Sequence, residues 1–217
     1  MSSITTLRIT EIFHSLQGES KTVGIPTVFV RLTGCPLRCQ YCDTAYAFEG
    51  GELMELDAIK AVLEGYACDY VTVTGGEPLA QPNCLPLMKL LCDLGYNVSL
   101  ETSGSMPIEQ VDKRVSIVMD LKTPASKETD KNRYENIAFL KPSDQVKFVI
   151  CDENDYQWSK AKLDQYDLKA KVEELLFSPS FEEMEPAQLA EWILRDKLKI
   201  RMQMQLHKQI WGSVAGK

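Results

Sequence analysis

The segment Thr27–Cys42, TVFVRLTGCPLRCQYC, joins an apolar, β-branched run to a cysteine-rich loop. The run Thr27–Leu32 predicts a buried β-strand. The loop after it holds Cys35, Cys39 and Cys42 in the spacing C-x3-C-x2-C. Three thiolates from one short loop can bind three corners of an iron–sulfur cube and leave the fourth iron open, because soft sulfur suits iron. A structural zinc site usually has four ligands in two pairs, and no second C-x2-C exists here, so we predict a [4Fe-4S] site with zinc as the alternative.

Composition sets the class of protein around this loop. The chain has 217 residues, 44% hydrophobic and 25% charged, which predicts one globular domain over residues 1–217. With 31 acidic against 24 basic residues the net charge is −7, which argues against nucleic-acid binding. No apolar run is long enough for a membrane helix, and the N-terminus lacks a signal-peptide pattern, so we expect a cytoplasmic protein with no membrane partner. In a reducing compartment the remaining cysteines are expected to be small buried hydrophobic residues; they are Cys68, Cys84, Cys92 and Cys151.

Short apolar runs alternate with segments of helical period along the rest of the chain. The predicted strands are Thr27–Leu32, Tyr70–Thr74, Asn97–Glu101, Ser116–Met119, Gln145–Ile150, Glu174–Ser178 and Ile200–Leu206. The predicted helices are Leu56–Cys68, Cys84–Leu94, Lys131–Leu140, Asp155–Tyr166 and Pro186–Lys197. About six βα units fall short of a closed eightfold barrel, so the fold class is α/β with a partial, truncated parallel β/α barrel.

Unusual residues follow the first three predicted strands. They lie at Gly34–Cys42, Gly75–Pro78 and Thr102–Gly104. In parallel α/β folds the chemistry gathers at the carboxyl ends of the strands. We therefore expect the three loops to share one mouth, with residues 34–44 as the cluster loop.

The cysteine spacing, with an aromatic residue before the last cysteine, resembles the radical S-adenosylmethionine (SAM) superfamily, and GGEP at 75–78 strengthens the match. Glycines let backbone carbonyls approach a ligand, and Glu77 can supply charge near an ammonium group. The resemblance implies a [4Fe-4S] cluster whose open iron binds SAM. It implies SAM contacts at Gly76, Glu77, Ser103, Asp120, Leu121, Lys122, Phe177, Ser178, Pro179 and Ser180. The alternative for residues 101–104 is a polar turn that caps a helix, and for 120–122 and 177–180 ordinary loops.

Four further motifs resemble one family within that superfamily, the 7-carboxy-7-deazaguanine synthases. They are SLQGE at 15–19, FVR at 29–31, CDT at 42–44 and LHK at 206–208. The resemblance covers nearly the whole chain. It implies a lyase that forms a homodimer and converts 6-carboxy-5,6,7,8-tetrahydropterin to 7-carboxy-7-deazaguanine with release of ammonia, for queuosine and related 7-deazapurines. It also implies Mg²⁺, held in part by Thr44, whose alternative role is only to end the cluster loop. It assigns no catalytic residue beyond the cluster and SAM.

The same resemblance implies a substrate site that includes an N-terminal loop at about 13–20. Its residues are Leu16, Gln17, Gly18, Glu19, Arg31, Thr74 and His207. An amide and backbone groups suit the donor and acceptor pattern of a pterin edge, and an arginine fork suits a carboxylate. Arg31 could instead form a surface ion pair, and His207 could be an ordinary, partly buried histidine. Ser20 stands where the family usually has glycine, which strains the loop if that position needs a positive φ.

Two other functions compete with this lyase. A radical SAM activase that makes a glycyl radical on another protein shares the cluster loop, but it leaves SLQGE, Arg31 and LHK unexplained. A zinc-stabilised binding module without catalysis is the third hypothesis. The lyase also implies a flavodoxin- or ferredoxin-type electron donor.

Overall fold

A nine-stranded sheet organises the computed structural model, which describes residues 5–212, 214 and 216. In order across the sheet the strands are β3 (Glu52–Glu55), β1 (Thr6–Leu16), β2 (Pro26–Leu32), β4 (Tyr70–Gly75), β5 (Asn97–Thr102), β6 (Ser116–Asp120), β7 (Gln145–Ile150), β8 (Glu174–Pro179) and β9 (Arg201–Met202). Neighbouring strands from β2 to β9 run parallel, whereas β1 pairs antiparallel with β2 and β3. Because β3 and β9 lie at opposite ends of this order, the sheet is an open partial barrel, which confirms the predicted fold class.

The helices follow the parallel strands. They are α1 (Leu56–Glu64), α2 (Cys84–Asp93), α3 (Glu153–Gln165), α4 (Leu168–Lys171), α5 (Pro186–Arg195) and α6 (Leu206–Trp211). The start of α3 is fixed by Asp152, whose carboxylate accepts from the Asp155 backbone N–H at 2.8 Å. Proline occupies the first turn of α5, where a missing N–H costs nothing. Among the described residues, no helix is long and apolar enough to cross a membrane.

Alternation along the parallel strands separates the core from a polar interior. On β4, Val71 and Val73 are fully buried in the hydrophobic core, whereas Thr72 and Thr74 point to the opposite face. The same period places Glu101 of β5 and Lys147 of β7 on the interior face. These polar side chains therefore line the inside of the partial barrel instead of packing against the helices.

The predicted helix Lys131–Leu140 is wrong. The segment forms short 3-10 turns at Thr129–Lys131 and Tyr134–Phe139. Asn132 bonds both backbone groups of Lys122, and the Asn136 amide donates to the carbonyls of Gly104 and Met106. These side chains bind distant backbone, which competes with regular helix and pins the segment under the β5 and β6 loops.

The ends of the chain also differ from prediction. Strand β1 was not predicted, and it extends through Leu16 into the expected N-terminal loop, because its pairing with β2 continues to Leu16 and Pro26. The short strand β3 was missed as well. The predicted strand Ile200–Leu206 shrinks to β9, because the chain then turns to meet the β1–β2 loop and begins α6.

The four cysteines outside the cluster loop only partly match their expected burial. Cys84 is buried in the core, but the other three are partly exposed; they are Cys68, Cys92 and Cys151. These three cysteines are therefore less buried than expected, because they lie near the ends of helices and strands.

Candidate active site

A cavity of about 440 Å³ opens at the carboxyl ends of the parallel strands. The loops after β2, β4 and β5 share its rim, as expected from their positions in the sequence. Interior-facing side chains of the strands form its floor, among them Arg31, Thr74, Glu101, Asp120 and Lys147. Charged and hydroxyl groups on the floor of a cavity can orient a polar heterocyclic ligand.

The cluster loop brings Cys35, Cys39 and Cys42 to the cavity wall. Burial raises the pKa of Cys35, and it raises the pKa of Cys39 to about 11. These thiols therefore keep their protons at neutral pH until a metal displaces them. In residues 5–212, no three His, Cys, Asp or Glu side chains converge closely enough to hold one metal ion. In a [4Fe-4S] cluster each cysteine thiolate binds a different iron, so the ligand assignment of the three cysteines stays a prediction.

Gly76 packs the second rim loop against the cluster loop. A Cβ atom there would lie 2.3 Å from the Gly34 carbonyl oxygen and 2.7 Å from the Cys35 Cβ. The Glu77 backbone N–H also donates to the Gly34 oxygen at 2.8 Å. Glycine is required at 76 because any side chain would push the two loops apart.

The expected SAM contacts divide into two groups. Those at the cavity wall are Gly76, Ser103, Asp120, Lys122, Ser178, Pro179 and Ser180. The hydroxyl of Ser178 and Oδ1 of Asp120 are buried with no hydrogen-bond partner among the described residues. Such orphaned polar atoms are costly unless a ligand or water satisfies them, so both fit a bound polar ligand.

Three expected SAM contacts do not reach the cavity. Leu121 and Phe177 are fully buried in the core face of the sheet. Glu77 is fully buried too, and its carboxylate accepts from Thr102 Oγ1 at 2.9 Å and from the Ser103 backbone N–H at 2.7 Å. The Glu77 carboxylate therefore braces the β5 loop, and its expected charge contact with SAM stays a prediction.

The residues expected to contact the substrate include those of the loop between β1 and β2. Gln17 is buried and its amide donates to Thr72 Oγ1 at 3.1 Å. A Cβ atom at Gly18 would lie 2.0 Å from His207 Nδ1, so the imidazole packs directly on the glycine backbone. Burial lowers the pKa of His207 below its ordinary value of 6.5, which favours the neutral ring. Leu16 and Thr74 complete the expected set at the wall.

Glu19 enters a buried charge network. Lys147 Nζ lies 2.5 Å from Glu19 Oε2 and 3.6 Å from Asp120, and Gln205 donates to Glu19 Oε1 at 2.7 Å. Burial raises the pKa of Glu19, but the Lys147 charge together with the hydrogen bonds from Lys147 and Gln205 brings the pKa below its ordinary value. At neighbouring Glu101, burial and the Glu19 charge together raise the pKa. The cavity thus holds one ionised carboxylate beside one that takes up a proton more readily.

Arg31 forms an ion pair on the cavity floor. Its Nε donates to Glu11 at 2.7 Å, and Tyr46 Oη donates to the same carboxylate oxygen at 2.7 Å. Within residues 5–212, the terminal nitrogens Nη1 and Nη2 have no hydrogen-bond partner, while the side chain is 15% exposed. The guanidinium is therefore held along one edge and presents its terminal fork to the cavity, a geometry suited to a carboxylate.

Thr44 follows the cluster loop cysteines at the cavity wall. Its hydroxyl donates to Asp43 Oδ1 at 2.8 Å, and Lys208 lies 3.6 Å from Asp43. Burial raises the pKa of Asp43, but the Thr44 hydrogen bond and the Lys208 charge bring it below its ordinary value. A hydroxyl that donates its proton to a carboxylate keeps its lone pairs for a hard cation, so the pair fits a Mg²⁺ ligand.

Sequence reasoning missed several residues that the structure brings to the site. They are Glu11, Asp43, Tyr46, Lys147 and Gln205. Lys147 could have been predicted, because a lysine in the strand sequence QVKFVI falls on the face opposite the core. Glu11 could not have been predicted in this way, because its strand β1 was itself not predicted.

Known proteins resemble this chain in sequence and fold. A family model described as the radical SAM superfamily matches residues 29–132. A 7-carboxy-7-deazaguanine synthase of Koribacter versatilis is 43% identical over 219 residues, which cover 94% of this chain and 97% of that protein. One of Chlorobaculum tepidum is 44% identical over 215 residues, with 98% and 97% covered. The crystal structure of QueE from Escherichia coli superposes with a TM-score of 0.74 at 23% identity, and covers 93% of this chain and 95% of that one.

Proposed function

The chain belongs to the 7-carboxy-7-deazaguanine synthase family of radical SAM enzymes, and on that premise we propose how its cavity residues serve the family's reaction. The reaction converts 6-carboxy-5,6,7,8-tetrahydropterin to 7-carboxy-7-deazaguanine with release of ammonia, in 7-deazapurine biosynthesis. Its cofactors are a [4Fe-4S] cluster and SAM. The activase and zinc-module hypotheses are set aside, because the relatives cover nearly the whole chain and carry the synthase name.

The observation that carries the residue assignment is that one cavity collects both expected sets of residues. The three cysteines and the rim hydroxyls line it, and so do Arg31, Glu19 and His207. We assign Cys35, Cys39 and Cys42 to the cluster and the hydroxyl-rich rim to SAM. When bound, the reduced cluster and SAM supply a 5′-deoxyadenosyl radical that abstracts hydrogen from the substrate.

The Arg31, Glu19 and Glu101 side chains of this cavity match the pterin in charge and hydrogen bonding. The Arg31 fork takes the substrate carboxylate, because its Nε is already committed to Glu11 and only the terminal nitrogens remain. Glu19 accepts from the N–H edge of the ring, and Lys147 keeps it ionised. Glu101 lies nearby with a raised pKa, so its carboxyl can hold a proton within the same cavity.

We propose that Thr44, whose hydroxyl donates to Asp43, binds a cation that also meets the substrate carboxylate. Mg²⁺ there would neutralise the substrate carboxylate and fix the ring. We further propose a flavodoxin- or ferredoxin-type electron donor, a cytoplasmic location and a homodimer.

Product analysis tests the function directly. The chain, reconstituted anaerobically with its cluster, is incubated with SAM, dithionite and carboxytetrahydropterin, and the deazaguanine product, ammonia and 5′-deoxyadenosine are measured. We expect product only with all components present, and none from Cys39→Ala. Formation of 5′-deoxyadenosine without any deazaguanine, in the presence of bound pterin, would contradict the function.

A further inference from the structure

Three successive backbone N–H groups of the β1–β2 loop donate to glutamine side chains from three parts of the chain. Glu19 N–H donates to Gln17 Oε1 at 3.2 Å, Ser20 N–H to Gln203 at 2.6 Å, and Lys21 N–H to Gln145 at 2.8 Å. The loop conformation is thus imposed by amide side chains, two of which come from far along the sequence.

Ser20 is the strained member of this loop. Its φ is +69°, in the left-handed region that residues other than glycine, asparagine and aspartate adopt only at a cost in free energy. Among the described residues its side chain hydrogen-bonds only with Thr22, whose hydroxyl lies at 2.9 Å and whose backbone N–H donates to it at 3.3 Å. A residue in this conformation persists only when its surroundings hold it there.

Gln203 supplies that support. Its carboxamide accepts from the Ser20 N–H and donates to the Ser20 carbonyl at 3.0 Å, so it pairs with both backbone groups of one residue. The side chain is buried, and the Gln203 backbone N–H is fixed to the Phe177 carbonyl at 2.9 Å. Leu206 N–H then donates to the Gly18 carbonyl at 3.0 Å. The segment after β9 therefore holds the loop at successive points.

We propose that Gln203 is a positioning residue of the substrate site. It keeps Ser20 left-handed, and Ser20 in turn sets the direction from which Glu19 enters the cavity beside Lys147. Relaxation of Ser20 to a negative φ would redirect the backbone on either side and withdraw the Glu19 carboxylate. This inference rests on the proposed role of Glu19 toward the pterin.

The test is a double-mutant cycle of Gln203→Leu and Ser20→Gly, with Gln188→Leu on the exposed face of α5 as the matched control. Gln203→Leu is expected to raise KM for the pterin about tenfold, the equivalent of one or two lost hydrogen bonds, with KM for SAM unchanged. Adding Ser20→Gly is expected to recover most of that loss, because glycine adopts positive φ without the penalty. The control should match wild type.

Equal pterin penalties for Gln203→Leu in the serine and glycine backgrounds would overturn the proposal, as would a matching rise in KM for SAM. Amide hydrogen exchange at residues 19 and 21, whose acceptors Gln17 and Gln145 are present in every variant, is measured on the same variants without substrate. It should quicken in Gln203→Leu and slow again in the double variant; unchanged exchange also overturns the proposal. If wild type binds pterin but forms no product, the proposed function fails while the exchange measurement still decides the role of Gln203.

Discussion

Replacing Arg31 by lysine keeps the positive charge on the cavity floor but removes its fork. In the native protein Nε is bound to Glu11 at 2.7 Å, which leaves Nη1 and Nη2 for the substrate carboxylate. A lysine has one nitrogen and must choose between Glu11 and the substrate. The variant is therefore expected to bind pterin poorly, even though its net charge is unchanged.

The size of the loss follows from the bonds removed. A hydrogen bond to a charged group contributes about 1.5 to 3 kcal/mol, and the single lysine nitrogen can replace at most one of the bonds made by the two terminal nitrogens. Arg31 is largely buried, with a side chain 15% exposed, so solvent screens the interaction weakly. The expected rise in KM for carboxytetrahydropterin is about ten- to a hundredfold.

Steady-state kinetics under anaerobic conditions measure this effect, with pterin and SAM varied separately. Arg195→Lys is the matched control, because Arg195 Nε also donates to a carboxylate, Asp196, at 2.8 Å but lies on α5 away from the cavity. We expect KM for SAM to stay at its wild-type value in both variants. A pterin KM within twofold of wild type (about 0.4 kcal/mol) would remove Arg31 from the substrate site.

Three other perturbations probe the cluster, the metal and the pH response. Alanine at any one cysteine of the cluster loop should abolish SAM cleavage and lower iron content, whereas Cys92→Ala should keep both; the reverse pattern in an iron assay contradicts the ligand assignment. Chelation of Mg²⁺ should slow product formation without bleaching the cluster, and Thr44→Ala should need more Mg²⁺ for the same rate; a chelated wild type at full rate would end the metal role of Thr44. Burial lowers the pKa of His207 in the folded protein, so as the pH falls the unfolded chain takes up a proton first. The contribution of neutral His207 to the free energy of unfolding should therefore be complete above about pH 6.5 and be lost as the pH drops toward the lower folded pKa. Thermal unfolding from about pH 7.5 to about pH 5 should show a flatter profile for His207→Gln, and identical slopes would contradict this.

Local patterns in the sequence were sufficient for the parallel strands other than β9 and for the position of the cluster loop. The strand ending at Leu32 and the cysteine spacing after it depend on neighbours a few residues away, and both appear where they were predicted. The period of two along β4, β5 and β7 also fixed which side chains face inward. The rim loops meet because the carboxyl ends of parallel strands share one edge of a sheet.

Pairings between distant residues were decided only by the tertiary structure. The sequence placed Glu77 beside a ligand, but Thr102 and Ser103, brought in by β5, draw its carboxylate away from the cavity. The predicted helix at 131–140 fails for the same reason, since Asn136 satisfies backbone groups 30 residues or more away.

At Ser20 the sequence indicated the strain, and only the tertiary structure showed which side chain stabilises it. The sequence indicated a strained loop if that position has a positive φ, and the backbone does adopt φ +69°. The side chain that compensates, Gln203, lies 183 residues further along the chain. A local pattern carries no information about such a contact, because the free energy of a long-range hydrogen bond depends on the packing that brings its partners together.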